Sequence, residues 1–223
     1  MRPAAGPAKR AEIDAAAVFR SAVTDLEAGL NQQRRVRPLL AFEKQPPPRR
    51  LAPFAAAIGA TVHDPDLSGE TAPGAGEDAD TEIGWGSFVL LYDPAGQTGW
   101  AGPFRVIAYI RADLEPEIAA DPLVGQVGWS WLTEALDTRT TGYRQVSGTV
   151  TRVVTEGFGA KQAEPVATGF ELRASWSPSG PDAPHDLDGH VAAWCDTLCT
   201  AAGLPPLPAG VSPLRPRSRR RPP

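Results

Sequence analysis

The stretch LLYDPAGQTGWAGPFRVIAYIRAD, from Leu90 to Asp113, limits the possible folds of this chain more than any other segment. Two apolar runs flank a turn that carries Asp93, Pro94, Gly96 and Gly99. Proline fixes its own φ and glycine accepts a positive one, and so short a connection returns the second strand antiparallel to the first. The first run, extended back to SFVLLYD, is apolar on both faces, with Phe88, Leu90 and Tyr92 alternating with Val89 and Leu91. Such a strand is expected to lie centrally and to be covered on both sides. The second run, Phe104 to Arg111, sets Phe104, Val106, Ala108 and Ile110 against Arg105, Ile107, Tyr109 and Arg111. Trp100, between turn glycines, reads as the cover of the hairpin end, with ligand or partner stacking as the alternative.

The rest of the chain supplies elements around this hairpin. Phe19, Val23, Leu26 and Leu30 recur at helical steps and predict a first helix over 14–30. RPLLAFEKQPPPRRLAP holds too many prolines for a helix or a central strand and reads as extended chain. FAAAIGATV, Phe54 to Val62, reads as a strand, and residues 63–82 as an acidic loop too polar to bury. DLEPE opens a short helical turn, and Asp121 with Pro122 reads as the cap and first residue of a longer helix running to about Asp137. Val124, Val127, Gly128, Trp129, Trp131, Leu132, Ala135 and Leu136 span about 200° of that helix, roughly twice what one sheet covers. Another helix of the chain, or a partner, is expected over the remainder.

GYRQVSGTVTRVVTEGF and TGFELRASWS read as a second antiparallel pair, the latter alternating Phe170, Leu172, Ala174 and Trp176 with Glu171, Arg173 and Ser175. A last helix begins near Asp186 or Asp188, gathers Val191, Trp194, Cys195, Leu198 and Ala202 on one side, and stops at Gly203. The order helix, three strands, helix, two strands, helix predicts an α+β fold with a mainly antiparallel sheet of about five strands. One domain is expected over 12–205, with a basic disordered N-terminus at 1–11 and a disordered Pro/Arg-rich tail at 206–223.

The net charge of -4 conceals a segregation. Arg2, Lys9 and Arg10 precede Ala11 and five arginines follow Leu214, which leaves 14 of the 22 cations against all 26 acids in between. That acidic body repels phosphate backbones, so nucleic acid enters only through the tail residues Arg217, Arg219, Arg220 and Arg221. Cys195 and Cys199, four apart in one predicted helix, are awkward disulfide partners, so reduced thiols and a cytoplasmic location are expected. No apolar run approaches the roughly 20 residues of a membrane span, and the first residues lack a signal peptide's apolar centre.

Catalytic signatures are missing from the sequence. His185, Asp186, Asp188, His190, Cys195 and Cys199 fall within fifteen residues, but their spacing matches no paired metal motif; capping acids and two small buried thiols explain them. No GxSxG elbow, GxGxxG or GxxxxGK occurs, and GWGSF leads into a strand where a nucleotide loop would lead into a helix. The acids of DLEPE, and Glu134 with Asp137, suit helix starts and solvated faces. Arg105 and Arg111 share a strand face, where an acidic substrate or plain solvation would suit them. No catalytic residue, cofactor or metal is therefore assigned.

Taken together, PPPRRLAPFA, LLYDPAGQTGWAGPFRVIAYIRADLEPE, DPLVGQVGWSWLTEAL and TGFELRASWSP resemble an uncharacterised actinobacterial family, catalogued as domain of unknown function three thousand, over about Ala16 to Pro205. The resemblance implies no activity. In element order alone the chain is also similar to small acidic secretion-chaperone-like folds, and fold does not fix function. The sequence reading is a non-catalytic protein-binding or chaperone-like module, with a protein partner or a homodimer contacted through Trp100, Trp129 and Trp131. The alternatives are an accessory nucleic-acid factor acting through the arginine tail, and an enzyme with a site assembled from scattered Asp, Arg and Tyr.

Overall fold

A computed structural model describes residues 7–37, 39–64, 82–179 and 186–204. The expected loop at 63–82, apart from its first two residues and its last, and the expected tail lie outside these residues, as does the N-terminus up to residue 6. From Pro7 onward the chain is helical: α1 spans Pro7–Val36, much longer than the apolar stripe alone indicates. Proline is tolerated in a first helical turn, and the alanine-rich stretch after it has high helix propensity.

One six-stranded antiparallel sheet follows, with β1 (Leu40–Gln45), β2 (Phe54–His63), β3 (Glu82–Tyr92), β4 (Phe104–Asp113), β5 (Tyr143–Thr155) and β6 (Ala167–Pro178) in the order β1-β2-β3-β4-β6-β5. The α+β class and the antiparallel sheet agree with the sequence reading, while the strand count of about five rises to six. The additional strand is β1, inside the segment read as extended chain. It pairs only with β2 and stops before Pro46, so it sits at an edge, where a strand tolerates neighbouring proline.

The hairpin of β3 and β4 closes as its turn residues require. Asp93 N–H donates to Pro103 O at 2.9 Å, Gly96 N–H to Asp93 O at 2.9 Å, and Gly96 and Gly99 hold φ of 70° and 86°. Gln97 Nε2 then reaches the Asp93 carboxylate at 3.0 Å and the Leu51 carbonyl at 2.9 Å, tying the turn to the chain that enters β2.

Helices cover one face of the sheet. The short α2 (Pro116–Ala120) precedes α3 (Val124–Arg139), and α4 (Leu187–Ala201) ends the described fold. Asp121 does not cap α3 directly; its Oδ1 accepts from Leu123 N–H at 2.8 Å, and the helix begins after that turn. The innermost element is α4, where His190 through Cys199 are all buried. It fits because β3 presents glycine towards it: a Cβ on Gly86 would lie 3.0 Å from the Trp194 ring, and one on Gly84 would lie 3.2 Å from Ala202. On its other side Gly29 of α1 packs on the backbone of Asp188, where an added Cβ would come within 2.7 Å. Phe88, Trp176 and Trp194 form the aromatic centre, with ring centroids 5.6 and 6.3 Å apart around Phe88.

The wide apolar arc of α3 is largely satisfied within the chain. Gly128, Leu132 and Leu136 are buried, Trp131 lies 5.7 Å from the Phe170 ring, and Trp129 rests against Gly148 of β5. The second expected cover of β3 is only partial among the described residues, burying Leu91 at the hairpin end and little else. Val89, Ile107 and Tyr109, on the face turned away from the helices, are only half-buried and none joins the core cluster. Apolar content on both faces thus marks a strand that is central in its sheet but open on one side.

Candidate functional site

The open face carries a pocket at the hairpin end. It has a volume of about 570 Å³, and the alternating register of β4, β6 and β5 builds its floor: Ile107 stands opposite Ser175 and Arg173 opposite Thr149, with Arg105 beside them. Leu51 and the turn residues Gln97 to Trp100 form the wall on the other side.

Arg105 is the unusual group there. The residue retains only 9% of its exposure, yet no carboxylate pairs with it among the described residues. Its Nη2 donates to Ser175 Oγ at 2.6 Å and its Nη1 to the Gln145 carbonyl at 3.0 Å, with Ser177 Oγ farther away at 3.4 Å. Gln145 adopts a φ of 53° beside the register break in β5, so the guanidinium also fastens an irregular strand start. Burial pulls the guanidinium below its ordinary pKa, because a desolvated cation loses hydration that neutral partners only partly replace. Arg173, more exposed, pairs with Glu171 at 2.6 Å and lies 5.2 Å above the Tyr109 ring. Burial, and then the Glu171 carboxylate, push the Tyr109 phenol up.

The candidates singled out from the sequence do not converge. Trp100 is half-buried and lines this pocket, whereas Trp129 and Trp131 belong to α3 on the opposite face of the sheet. Arg217, Arg219, Arg220 and Arg221 lie outside the described residues, as does His185. Arg111 is exposed farther along β4, opposite Glu171.

The described part of the His/Asp/Cys segment, from Asp186 to Cys199, packs into the core. His190 is fully buried and accepts a hydrogen bond at Nδ1 from Trp176 Nε1 at 3.0 Å, so its own proton sits on Nε2. That Nε2 faces Asp186 Oδ1 at 3.6 Å, a long contact that is still close enough to favour the carboxylate. Asp186 precedes α4 but makes no side-chain cap; its Oδ2 accepts from Thr141 N–H at 3.1 Å and from Thr141 Oγ1 at 2.6 Å. Burial alone would raise this carboxyl, but the contacts of His190 and Thr141 outweigh it and hold the pKa at about 2. Cys195 and Cys199 are both free and buried, and burial pushes both thiols up, away from the reactive thiolate. Among the described residues no three His, Cys, Asp or Glu side chains gather as metal ligands.

Asp196 is the functional-looking group that sequence reasoning missed. Buried in α4, it pairs with Arg37 after α1 and, through Oδ2 at 2.7 Å, with Arg139 Nε at the end of α3. The signal was an acid inside the apolar run VAAWCDTLC. It joins three helices and faces no pocket, so it holds the fold together.

A family model described as protein of unknown function (DUF3000) matches residues 15–212. The chain belongs to that family. The DUF3000 match covers every strand and α2 to α4, together with most of α1, so the pocket and the buried α4 lie within it. No curated protein and no solved structure matches the chain. No described helix of this DUF3000 protein is long and apolar enough to cross a membrane.

Proposed function

We propose that this chain is a non-catalytic protein-binding module whose working surface is the outer edge of β5 with the adjoining strip of α2 and α3. The long strand edge carries the reading. An edge strand offers unpaired backbone donors and acceptors to another chain, and proteins usually shorten or interrupt such edges or place lysine and proline on them. The β1 edge follows that practice, with six residues, Lys44 and the prolines from 46 to 48. The β5 edge is longer, thirteen residues without proline or lysine, and is guarded only by the register break near its start and by Arg144 and Arg152, the latter donating to the Asp121 carbonyl at 3.2 Å. Beside it lies a groove containing Trp129, Gly125 and Val150, and the exposed Ile118, Leu123, Val127 and Val154 extend the apolar strip. The occupant that fits is an extended partner segment with β-branched residues at alternate positions, added as a seventh strand.

A photo-crosslinker at Thr151 in β5, compared with one at Ala41 in β1, tests this in the native cell. The expected result is a discrete adduct from β5 alone, mapping to one extended segment and lost on Val150→Asp. Equal adducts from both edges, or none, refute it. A second copy is the other reading: an antiparallel dyad on Val150 sets that residue against its own copy and Gly148 against Arg152. It would give an adduct within the chain's own sequence and a dimer in sedimentation.

A further inference from the structure

We propose that the pocket between the hairpin end and the β5–β6 pair binds an organic monocarboxylate with an apolar body, held by Arg105 and Arg173 and packed against Trp100. This site lies on the open face of the sheet and does not depend on the β5 edge being occupied.

Charge is the first argument. Arg105 and Arg173 line the pocket and no acid does, although the protein as a whole is net negative. A buried cation ordinarily has an ionised partner, because neutral dipoles only partly replace its hydration. The partners of Arg105 are two hydroxyls and one carbonyl, all neutral. A carboxylate presents two coplanar oxygens to such a planar fork. Glu171 already offsets much of the Arg173 charge, so the cavity holds little more than one uncompensated positive charge. A monoanion balances that, whereas a phosphate dianion would carry a surplus.

Shape and polarity supply the second argument. A volume of about 570 Å³ falls within the usual 300–1,000 Å³ of small-molecule sites and exceeds what a carboxylate head alone fills. The rest of the lining suits an apolar chain or ring, with Leu51, Leu91, Ile107 and Trp100 on one side. Thr149 and Ser147 on the other side can contact the head group. The Gln97 contacts to Asp93 and Leu51 fasten the Trp100 loop before a ligand arrives, which lowers the ordering cost of binding.

The same head group occurs in a free apolar acid and at the C-terminus of a peptide ending in an apolar residue. The test titrates the full chain with octanoate and 3-phenylpropionate in one arm and acetyl-Gly-Phe in the other. Each is compared with its neutral amide, and inorganic phosphate serves as a control. Binding is followed by calorimetry and by the Trp100 indole N–H resonance, assigned with Trp100→Phe. Saturable binding of acids in either arm, with at least tenfold weaker binding of the amides, is expected, and the stronger arm names the source. Arg173→Gln, exposed enough to leave the fold intact, should weaken the acids several-fold, and Arg105→Lys, which keeps the charge but not the fork, about tenfold. Amides binding as well as acids, phosphate binding more tightly than either, or a Trp100 resonance that does not move would overturn the proposal. Because Arg173→Gln and the amide comparison need no change at Arg105, the test survives an Arg105 variant that fails to fold.

Discussion

Asp186 should make this protein acid-sensitive in a way that one substitution removes. Its carboxyl sits at about 2 in the folded chain against an ordinary 3.8, because the contact with His190, and then the two hydrogen bonds from Thr141, outweigh the cost of burying it. At about 1.4 kcal/mol per pH unit, that difference is worth roughly 2 kcal/mol. The folded-state value is the lower one, so this contribution is fully present above about pH 5 and disappears as the pH falls through 3.8 towards 2. Asp186→Asn removes the charge at every pH. Urea unfolding followed by tryptophan emission, run on both proteins between pH 6 and pH 2, should show a gap of about 2 kcal/mol at pH 6 that closes near pH 2. Other carboxylates lower both curves together, so the difference isolates this residue. A gap of constant size across the range would show that the carboxylate is not stabilised as an anion, and the reasoning from its contacts would fail.

Asp196→Ala should cost about 3 kcal/mol, since it strands the largely buried Arg37 and releases Arg139, and calorimetry should register a loss of roughly 6–12 °C in Tm. Arg37→Met with Asp196→Leu should recover most of that loss, because an apolar pair of similar size needs no desolvation of charge. In α3, Gly128→Ala puts a Cβ 2.3 Å from the Phe170 ring and should destabilise by about 1–2 kcal/mol, even though alanine favours helix by about 1 kcal/mol. Gly125→Ala in the same helix meets nothing within 4 Å and should stabilise by a few tenths to about 1 kcal/mol, so opposite shifts in Tm for the pair check the packing directly.

The β3–β4 hairpin, the β5–β6 pair and the amphipathic stripe of α1 were legible because each rests on local turn chemistry or on one clear period. The edge strand β1 was not, since proline on either side of it obscures six residues that need only one neighbour. Burial of α4 on every side was not legible either. Asp196 and Thr197 break its apolar pattern, and Gly84 and Gly86, which admit it, lie about a hundred residues away. Arg105 was visible as a cation on a strand face, but its burial depends on Ser175 and Ser177 meeting it through the register of β6. Trp100 stood out by type, and its place on the pocket wall follows from the turn that carries it.

The element at the centre of this fold follows every one of its strands along the chain. Until α4 leaves the ribosome, α1 lacks the surface that Gly29 grips, and β3 holds a glycine-lined trough with nothing in it. Most tertiary contacts join residues well separated in sequence, and those that seal the interior against β3 and α1 wait on α4. A chain cut before residue 187 would leave the apolar face of β3 and β4 open to chaperones or to other chains, so the core of this fold closes only once α4 is in place.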